Sequence, residues 1–394
     1  MKILVLNAGS SSLKYQLIDM DTEQPIAKGA CERIGIPGSK LTQKVNGQEL
    51  VIEKSMPNHT VAFNLVLEAL MNEEKGAISS VDEIGAVGHR VLHSGEDFKG
   101  TVLIDDKVIA ICEKNAVLGP LHMPANIACI KSCREILPGV PMAAVFDTAF
   151  HSTMQPKAYM YGVKYEDYEQ YKVRKYGFHG TSHKFVSGEA IKYLGREDVK
   201  IITCHLGNGS SISAVKNGKC VDTSMGFTPL EGLTMGTRSG DIDPAVLEFL
   251  MDKKGMDIHQ MLNYLNKECG VMGVSGVSSD FRDLTAAMKA GNERAKLALD
   301  MFAYRVKKYI GSYAAAMNGV DCIVFTGGIG ENDQDMRASI MQDMDYLGVN
   351  FDFDKNINFK RGCIQELDNG GKVKVLIIPT NEELVIARET LELL

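Results

Sequence analysis

Tryptophan is absent from this 394-residue chain, and proline is sparse at 11 residues. The nine cysteines are odd in number, scattered and free of any CxxC pair, which argues against a zinc ribbon or a dithiol redox motif. That usage reads as a reduced, cytosolic protein. Cys129 and Cys133 are the closest pair, four apart on an expected helix, and read as core packing. No run of 18 apolar residues occurs, so a spanning helix is excluded. The four apolar residues Ile3–Leu6 are too few for a signal-peptide core. No basic run is present either. With 43 Lys and Arg against 50 Asp and Glu, the net charge of −7 argues against nucleic acid or an anionic membrane as partner.

What the chain has is a globular composition, 45% hydrophobic and 24% charged, at a length that suits two domains. Short apolar strand-like runs alternate with helical periodicity throughout, the α/β pattern. Strands are expected over Lys2–Leu6, Leu13–Met20, Val140–Phe146, Lys200–His205 and Asp321–Thr326, and a helix over Thr60–Asn72 with Gly76 as its stop. Lys2-Ile-Leu-Val-Leu-Asn7-Ala-Gly-Ser-Ser-Ser12 can be laid over Lys200-Ile-Ile-Thr-Cys-His205-Leu-Gly-Asn-Gly-Ser210, half a chain later. That spacing predicts two similarly built halves, with a boundary near residue 150.

Ligands of open α/β sheets collect beyond the carboxyl ends of strands. Three turns there are rich in glycine and small polar residues: Asn7–Lys14, His205–Ser211 and Thr326–Asn332. Exposed backbone N–H groups and hydroxyls in such turns can grip phosphate, and Lys14 adds a cation. The GxxxxGK[ST] spacing is missing, so a Walker A loop is excluded. Taken alone, each turn is equally a tight hairpin; together they point to a nucleoside triphosphate. Arg90 and Arg238 lie in glycine-flanked segments and are either solvated or carboxylate and phosphoryl clamps. His89 with His93, and His179 with His183, have a spacing that can bind zinc on a helix. HExxH is absent, and Gly180 with Thr181 make Phe178–His183 a poor helix interior. Phosphate contacts or packing read better there than metal. Asp147 at a strand end and Glu382 at a helix start are ordinary structural acids or ligands for Mg²⁺. Six tyrosines within Tyr159–Tyr176 read as a packed face or subunit contact.

Seven segments resemble the acetate kinases, the acetokinase family of the actin/Hsp70/sugar-kinase superfamily. They are Asn7–Lys14, Gly88–His93, Phe146–His151, Tyr176–His183, His205–Gly209, Gly236–Asp241 and Gly327–Asn332. The resemblance runs in the family's order from residue 2 to about 388. It implies two RNase H-like, actin-like ATPase domains related by duplication and flanking a cleft. The first would span residues 1–150 with a returning helix at 385–394, and the second, nucleotide-binding one 151–384. It further implies a cytoplasmic homodimer that transfers the γ-phosphoryl group of ATP to acetate, giving acetyl phosphate and ADP, with Mg²⁺ as cofactor and Mn²⁺ as a substitute.

Carried over motif by motif, Asn7 and Glu382 match the metal positions. Ser10, Ser12, Lys14, His205, Leu206, Gly207, Asn208, Gly209, Asp280, Phe281, Arg282, Gly328, Ile329, Gly330, Glu331 and Asn332 match the nucleotide positions. Arg90 matches the carboxylate-binding arginine, and Leu92, Leu121, His122, Phe178 and Pro229 the rest of the acid site. Asp147, His179 and Arg238 match the catalytic positions. The acceptor carboxylate is already ionised at pH 7, so attack requires no general base, and Asp147 is expected to orient Mg²⁺ or Arg90. Leucine at position 92, often valine in the family, is expected to shrink the pocket and favour acetate over propionate. The competing readings are a propionate or butyrate kinase, an actin- or Hsp70-like ATP-driven switch, and a zinc hydrolase built on the histidine pairs.

Overall fold

The computed structural model describes every residue except Leu121. The chain folds as two compact units, Met1–Phe150 with Asn381–Leu394, and His151–Thr380.

The first unit is built on β1 (Lys2–Ala8), β2 (Ser12–Asp19), β3 (Gln24–Glu32), β4 (Lys40–Val45), β5 (Gln48–Glu53), β6 (Ile84–Val91), β7 (Val102–Leu103) and β8 (Met142–Phe146). They form one sheet in the order β5-β4-β3-β2-β1-β6-β8-β7. β1 to β5 form an antiparallel meander, and β6 and β8 continue the sheet parallel to β1. The unbroken apolar run Ile3–Leu6 is explained by burial on both faces. Leu4 and Leu6 join Phe63, Leu65, Cys129 and Cys133, from the helices His59–Leu70 and Met123–Ile136. Ile3 and Val5 join Ile386 and Ala387 of the helix Glu382–Leu391 on the other face. That helix begins after its cap at Asn381, so Glu382 is carried by the first unit.

The second unit contains β9 (Lys200–Leu206), β10 (Ser210–Lys216), β11 (Lys219–Thr223), β12 (Cys322–Thr326), β13 (Gln365–Glu366) and β14 (Lys374–Ile377), in the order β11-β10-β9-β12-β14-β13. Its antiparallel β11-β10-β9 and parallel β12 and β14 repeat the plan of β3-β2-β1 followed by β6 and β8. The sequence repeat falls on β1 and β9, the two central strands. Phe302, Val306 and Ile310 of the long helix Glu293–Ala316 fill the main core with Ile323 and Phe325 of β12.

Two local expectations change. The Thr60–Asn72 helix stops at Leu70, short of Gly76, and begins at His59, where the Asn58 side chain accepts the Val61 N–H. His179 takes a left-handed conformation, φ 57°, and caps a helix Gly180–Leu194, so Gly180 and Thr181 form its first turn. In the other pair, His89 lies on β6 and His93 beyond it, so no helix supports that spacing.

Candidate active site

In the first unit the parallel strands end together. Register pairs Asn7 with Arg90 across β1 and β6, and Arg90 with Val145 across β6 and β8. Arg90 Nη1 donates to Asn7 Oδ1 at 3.3 Å and Nη2 to Asp147 Oδ2 at 3.0 Å. Asp147 is only 1% exposed. Its charge, then those of Glu382 and Glu383, holds the Arg90 guanidinium above its ordinary value against the opposing effect of burial. Gly88 lets the C-terminal helix approach: a Cβ there would lie 2.6 Å from Ile386 Cγ2 and Thr390 Oγ1. This docking brings the acidic first turn of that helix to the strand ends.

Glu383 lines a cavity of about 280 Å³ with Asn7 and Lys14. Burial, then the charge of Glu382, pushes its carboxyl up, while Arg90 and Lys14 oppose. Asn7, Asp147, Glu382 and Glu383 offer oxygen donors only, and their clustered negative charge fits a hard divalent cation. Sequence reading missed Glu383, since either acid of Asn381-Glu-Glu suits a helix start. Lys14 pairs with Asn7 in the β1–β2 register, and the Gly9 N–H closes the intervening turn on Ser12 O at 2.8 Å, with Ser10 exposed. Asn126 ties two of the strand ends, accepting from Leu92 N at 3.0 Å and donating to Ala8 O at 2.7 Å. Leu92 is buried against Gly119, and His122 is exposed at the start of the helix Met123–Ile136. Leu121, assigned to the acid pocket, lies outside the described residues.

The second unit holds a histidine and hydroxyl network. His179 stacks on His205 with centroids 4.3 Å apart. Ser211 Oγ lies 2.8 Å from His179 Nδ1 and 2.7 Å from His183 Nε2. Since a hydroxyl has one proton, at least one ring donates to Ser211. Ser182 Oγ holds His205 Nδ1 at 2.7 Å, and Thr203 Oγ1 holds His183 Nδ1 at 2.7 Å. Gly209 supplies the space beside this network: a Cβ there would sit 3.2 Å from Arg238 Nη1 and 3.6 Å from His179 Nε2. Arg238 Nη1 reaches the Pro229 carbonyl at 3.3 Å. Among the described residues no carboxylate pairs with it, and burial draws its pKa down. A half-buried guanidinium of this kind, next to an imidazole, suits phosphoryl oxygens. Phe178 is buried and its carbonyl lies 2.9 Å from His151 Nε2.

Burial drives the His183 pKa far below its ordinary value, so the folded state keeps this ring neutral. The unfolded chain takes up that proton below about pH 6.5, so stability falls as pH drops through that value. We expect the wild-type Tm to decline on acidification more steeply than that of His183→Gln. Parallel slopes would mean that His183 is not the group responsible.

A separate groove of about 810 Å³ opens in the second unit. Gly207 and Asn208 after β9, Asp280, Phe281 and Arg282 at one helix start, and Gly328, Ile329 and Asn332 after β12 all line it. A Cβ on Gly328 would meet nothing within 4 Å, so the groove has bare backbone there. Apolar Phe281 and Ile329 beside polar Asn208, Asp280 and Asn332 suit a nucleoside. Arg282 Nε donates to Asp280 at 3.0 Å and holds its carboxyl down to about 2.

Other sequence-assigned nucleotide residues sit elsewhere. Ser10, Ser12 and Lys14 belong to the first unit, Leu206 lies in the core and His205 and Gly209 in the histidine network. Gly330 packs on the β12 backbone, where a Cβ would lie 3.4 Å from the Phe325 carbonyl carbon. The expected turn Thr326–Asn332 is a short helix, Gly327–Asn332, and Glu331 Oε1 accepts from Gly327 N at 2.9 Å and Thr380 N at 3.1 Å, which bolts that helix start rather than presenting a carboxylate to the groove.

Arg337 gives no signal in the sequence, close behind the polar run Asn332–Asp335, yet it is fully buried behind this groove. Its Nη1 donates to Gly330 O at 2.9 Å, its Nε to Asn356 Oδ1 at 2.8 Å, and its guanidinium lies 4.5 Å over Phe359. Burial pushes its pKa down to about 10. Arg337→Met strands the Gly330 carbonyl and should destabilise the chain by about 1–3 kcal/mol. A nucleoside triphosphate titrated against the variant should bind more weakly than to the wild type; unchanged binding would separate Arg337 from the groove.

Two sheets of one plan, one with an arginine fixed between Asn7 and Asp147 beyond its strands and the other with a groove beyond its strands, suit a two-domain phosphotransferase. The family model that matches residues 2–388 is that of the acetokinase family. An acetate kinase of Desulfitobacterium hafniense is 57% identical over 100% of this chain and 99% of its own length. The crystal structure of the Porphyromonas gingivalis acetate kinase superposes with a TM-score of 0.96 at 48% identity, covering 100% of this chain and 99% of that one. A propionate kinase from Francisella tularensis has a TM-score of 0.93 at 40% identity, with 100% of both chains covered. The chain belongs to the acetokinase family.

Proposed function

We propose that this chain transfers the γ-phosphoryl group of ATP reversibly to acetate, by direct in-line attack of the acetate carboxylate. The observation that carries the reading is the Arg90 guanidinium, fixed between Asn7 and Asp147 at the joined strand ends. An ATP-driven switch has no use for such a carboxylate clamp. The acid is ionised at neutral pH, so no proton has to be removed as the new O–P bond forms and the β,γ-bridging bond breaks. Arg90 binds and orients the acid, and Asp147 fixes Arg90. Arg238 and His179 neutralise charge on the transferring group, and the Gly207–Asn332 groove holds the nucleoside. Asn7, Glu382 and the neighbouring acids would hold Mg²⁺, which when bound supplies charge neutralisation and orients the phosphates.

The preference for acetate is attributed to Leu92, which is buried in the first unit against Gly119. One methylene is worth about 1–3 kcal/mol, so propionate should be slower, not excluded. Leu92→Val should raise propionate kcat/KM relative to acetate by roughly tenfold; an unchanged ratio would remove Leu92 from the specificity argument. Trapping acyl phosphate with hydroxylamine, from acetate, propionate and butyrate in parallel, tests the reading. Acetohydroxamate should dominate and, at subsaturating acetate, fall by about thirtyfold or more in Arg90→Ala; ATP hydrolysis with no hydroxamate from any acid would favour the switch protein.

A homodimer is part of the proposal, as is a cytoplasmic location. Ile242, Val246, Phe249, Ile258 and Leu262 leave an apolar strip exposed on and beside two adjoining helices, which suits a second copy.

A further inference from the structure

Position 89 alternates with position 90 along β6, so the two side chains leave the strand on opposite faces. Arg90 serves the active site, whereas His89 faces the core side that also holds Cys129 and Cys133. One ligating atom from each of His89, Cys129 and Cys133 lies within 4.8 Å of the other two. All three residues are buried, at 2%, 1% and 0% exposure, and His89 Nε2 has no hydrogen-bond partner among the described residues. A buried imidazole nitrogen without a hydrogen bond is costly, and core packing alone does not account for it.

We propose that His89, Cys129 and Cys133 form a closed site for one thiophilic d¹⁰ cation, Cu(I) in preference to Zn²⁺. Ligands around such an ion lie about 3.5–4 Å apart, given metal–sulfur and metal–nitrogen bonds of about 2.3 and 2.0 Å. The cluster therefore needs only a small contraction. Two sulfurs and one imidazole satisfy Cu(I), while Zn²⁺ takes a fourth ligand. Both cysteines bind as thiolates, so loading releases the thiol protons. The role is structural: the ion would pin β6, the strand that carries Arg90, to the helix Met123–Ile136.

The test uses the full chain, produced in copper- or zinc-supplemented medium, reduced, desalted and analysed for metal per chain. One equivalent should be retained, more readily for copper than for zinc, and lost in Cys129→Ser/Cys133→Ser. A higher Tm should accompany loading in the wild type only, because an ion that binds the folded state stabilises it. Equal retention by wild type and variant, or none of either metal, would overturn the site. Should the variant fail to fold, X-ray absorption of the loaded wild type decides: two sulfurs and one imidazole are expected, and a shell of oxygen and nitrogen alone would refute the assignment.

Discussion

Replacing Arg238 by alanine should lower kcat by about a thousandfold or more, the range seen when an arginine charge is withdrawn from a transferring phosphoryl group. The acetate KM should stay within about twofold, because uniform binding and transition-state binding separate in this way. The reason lies in the loop, in which the Arg238 guanidinium finds the Pro229 carbonyl but no carboxylate. Burial works against its charge, and Gly209 leaves open space beside its Nη1 and beside His179. A cation held this way gains most when negative charge gathers on the equatorial oxygens of the γ-phosphoryl group. Arg238→Lys keeps the charge and loses the fork, so it should recover only part of the rate. Steady-state kinetics on both variants provide the check. A loss confined to the acetate KM would move Arg238 from charge neutralisation to acid binding.

The second large effect is at Arg90. Arg90→Ala removes charge-assisted hydrogen bonds to the acid worth about 2–3 kcal/mol, which raises the acetate KM by about 30- to 140-fold. The same change leaves the buried Asp147 carboxylate facing the strand ends without its guanidinium, and kcat should fall too, through misplacement of the acid. The ATP KM should change far less, because the groove from Gly207 to Asn332 belongs to the other unit. Arg90→Lys separates charge from shape: a single ammonium cannot hold a carboxylate in the same fork, so most of the KM penalty should remain. Parallel rises in both substrate constants would point instead to general damage in the first unit.

Much of the site is legible in the sequence because the active groups sit where apolar strands end. The runs at Lys2, Lys200 and Cys322 announce buried strands, and Asn7, His205 and Gly327 follow from them directly. The duplication is visible as a repeat of strand and turn, and both sheets keep its plan. The half-sites themselves depend on register, which period and composition do not report. Asn7, Arg90 and Asp147 meet only because β1, β6 and β8 stop level with one another. Arg337 is invisible for a different reason: arginine close to polar residues such as Asp333 and Asp335 is normally solvated, and its burial comes with Asn356 and Phe359, further along the chain. The His89–Cys129–Cys133 cluster combines a strand and a helix, whereas spacing along one element pairs His89 with His93. Gly180 and Thr181 are tolerated because they fall in the first turn after His179 and not in the helix interior.

The central claim is a single displacement at phosphorus by the acid carboxylate. ATP whose γ-phosphoryl group is made chiral with oxygen isotopes tests it most directly, by reading the configuration of the acetyl phosphate formed. One in-line transfer predicts inversion. Retention would show two displacements through a phosphorylated side chain, and would contradict the proposed roles of Arg90, Arg238 and His179.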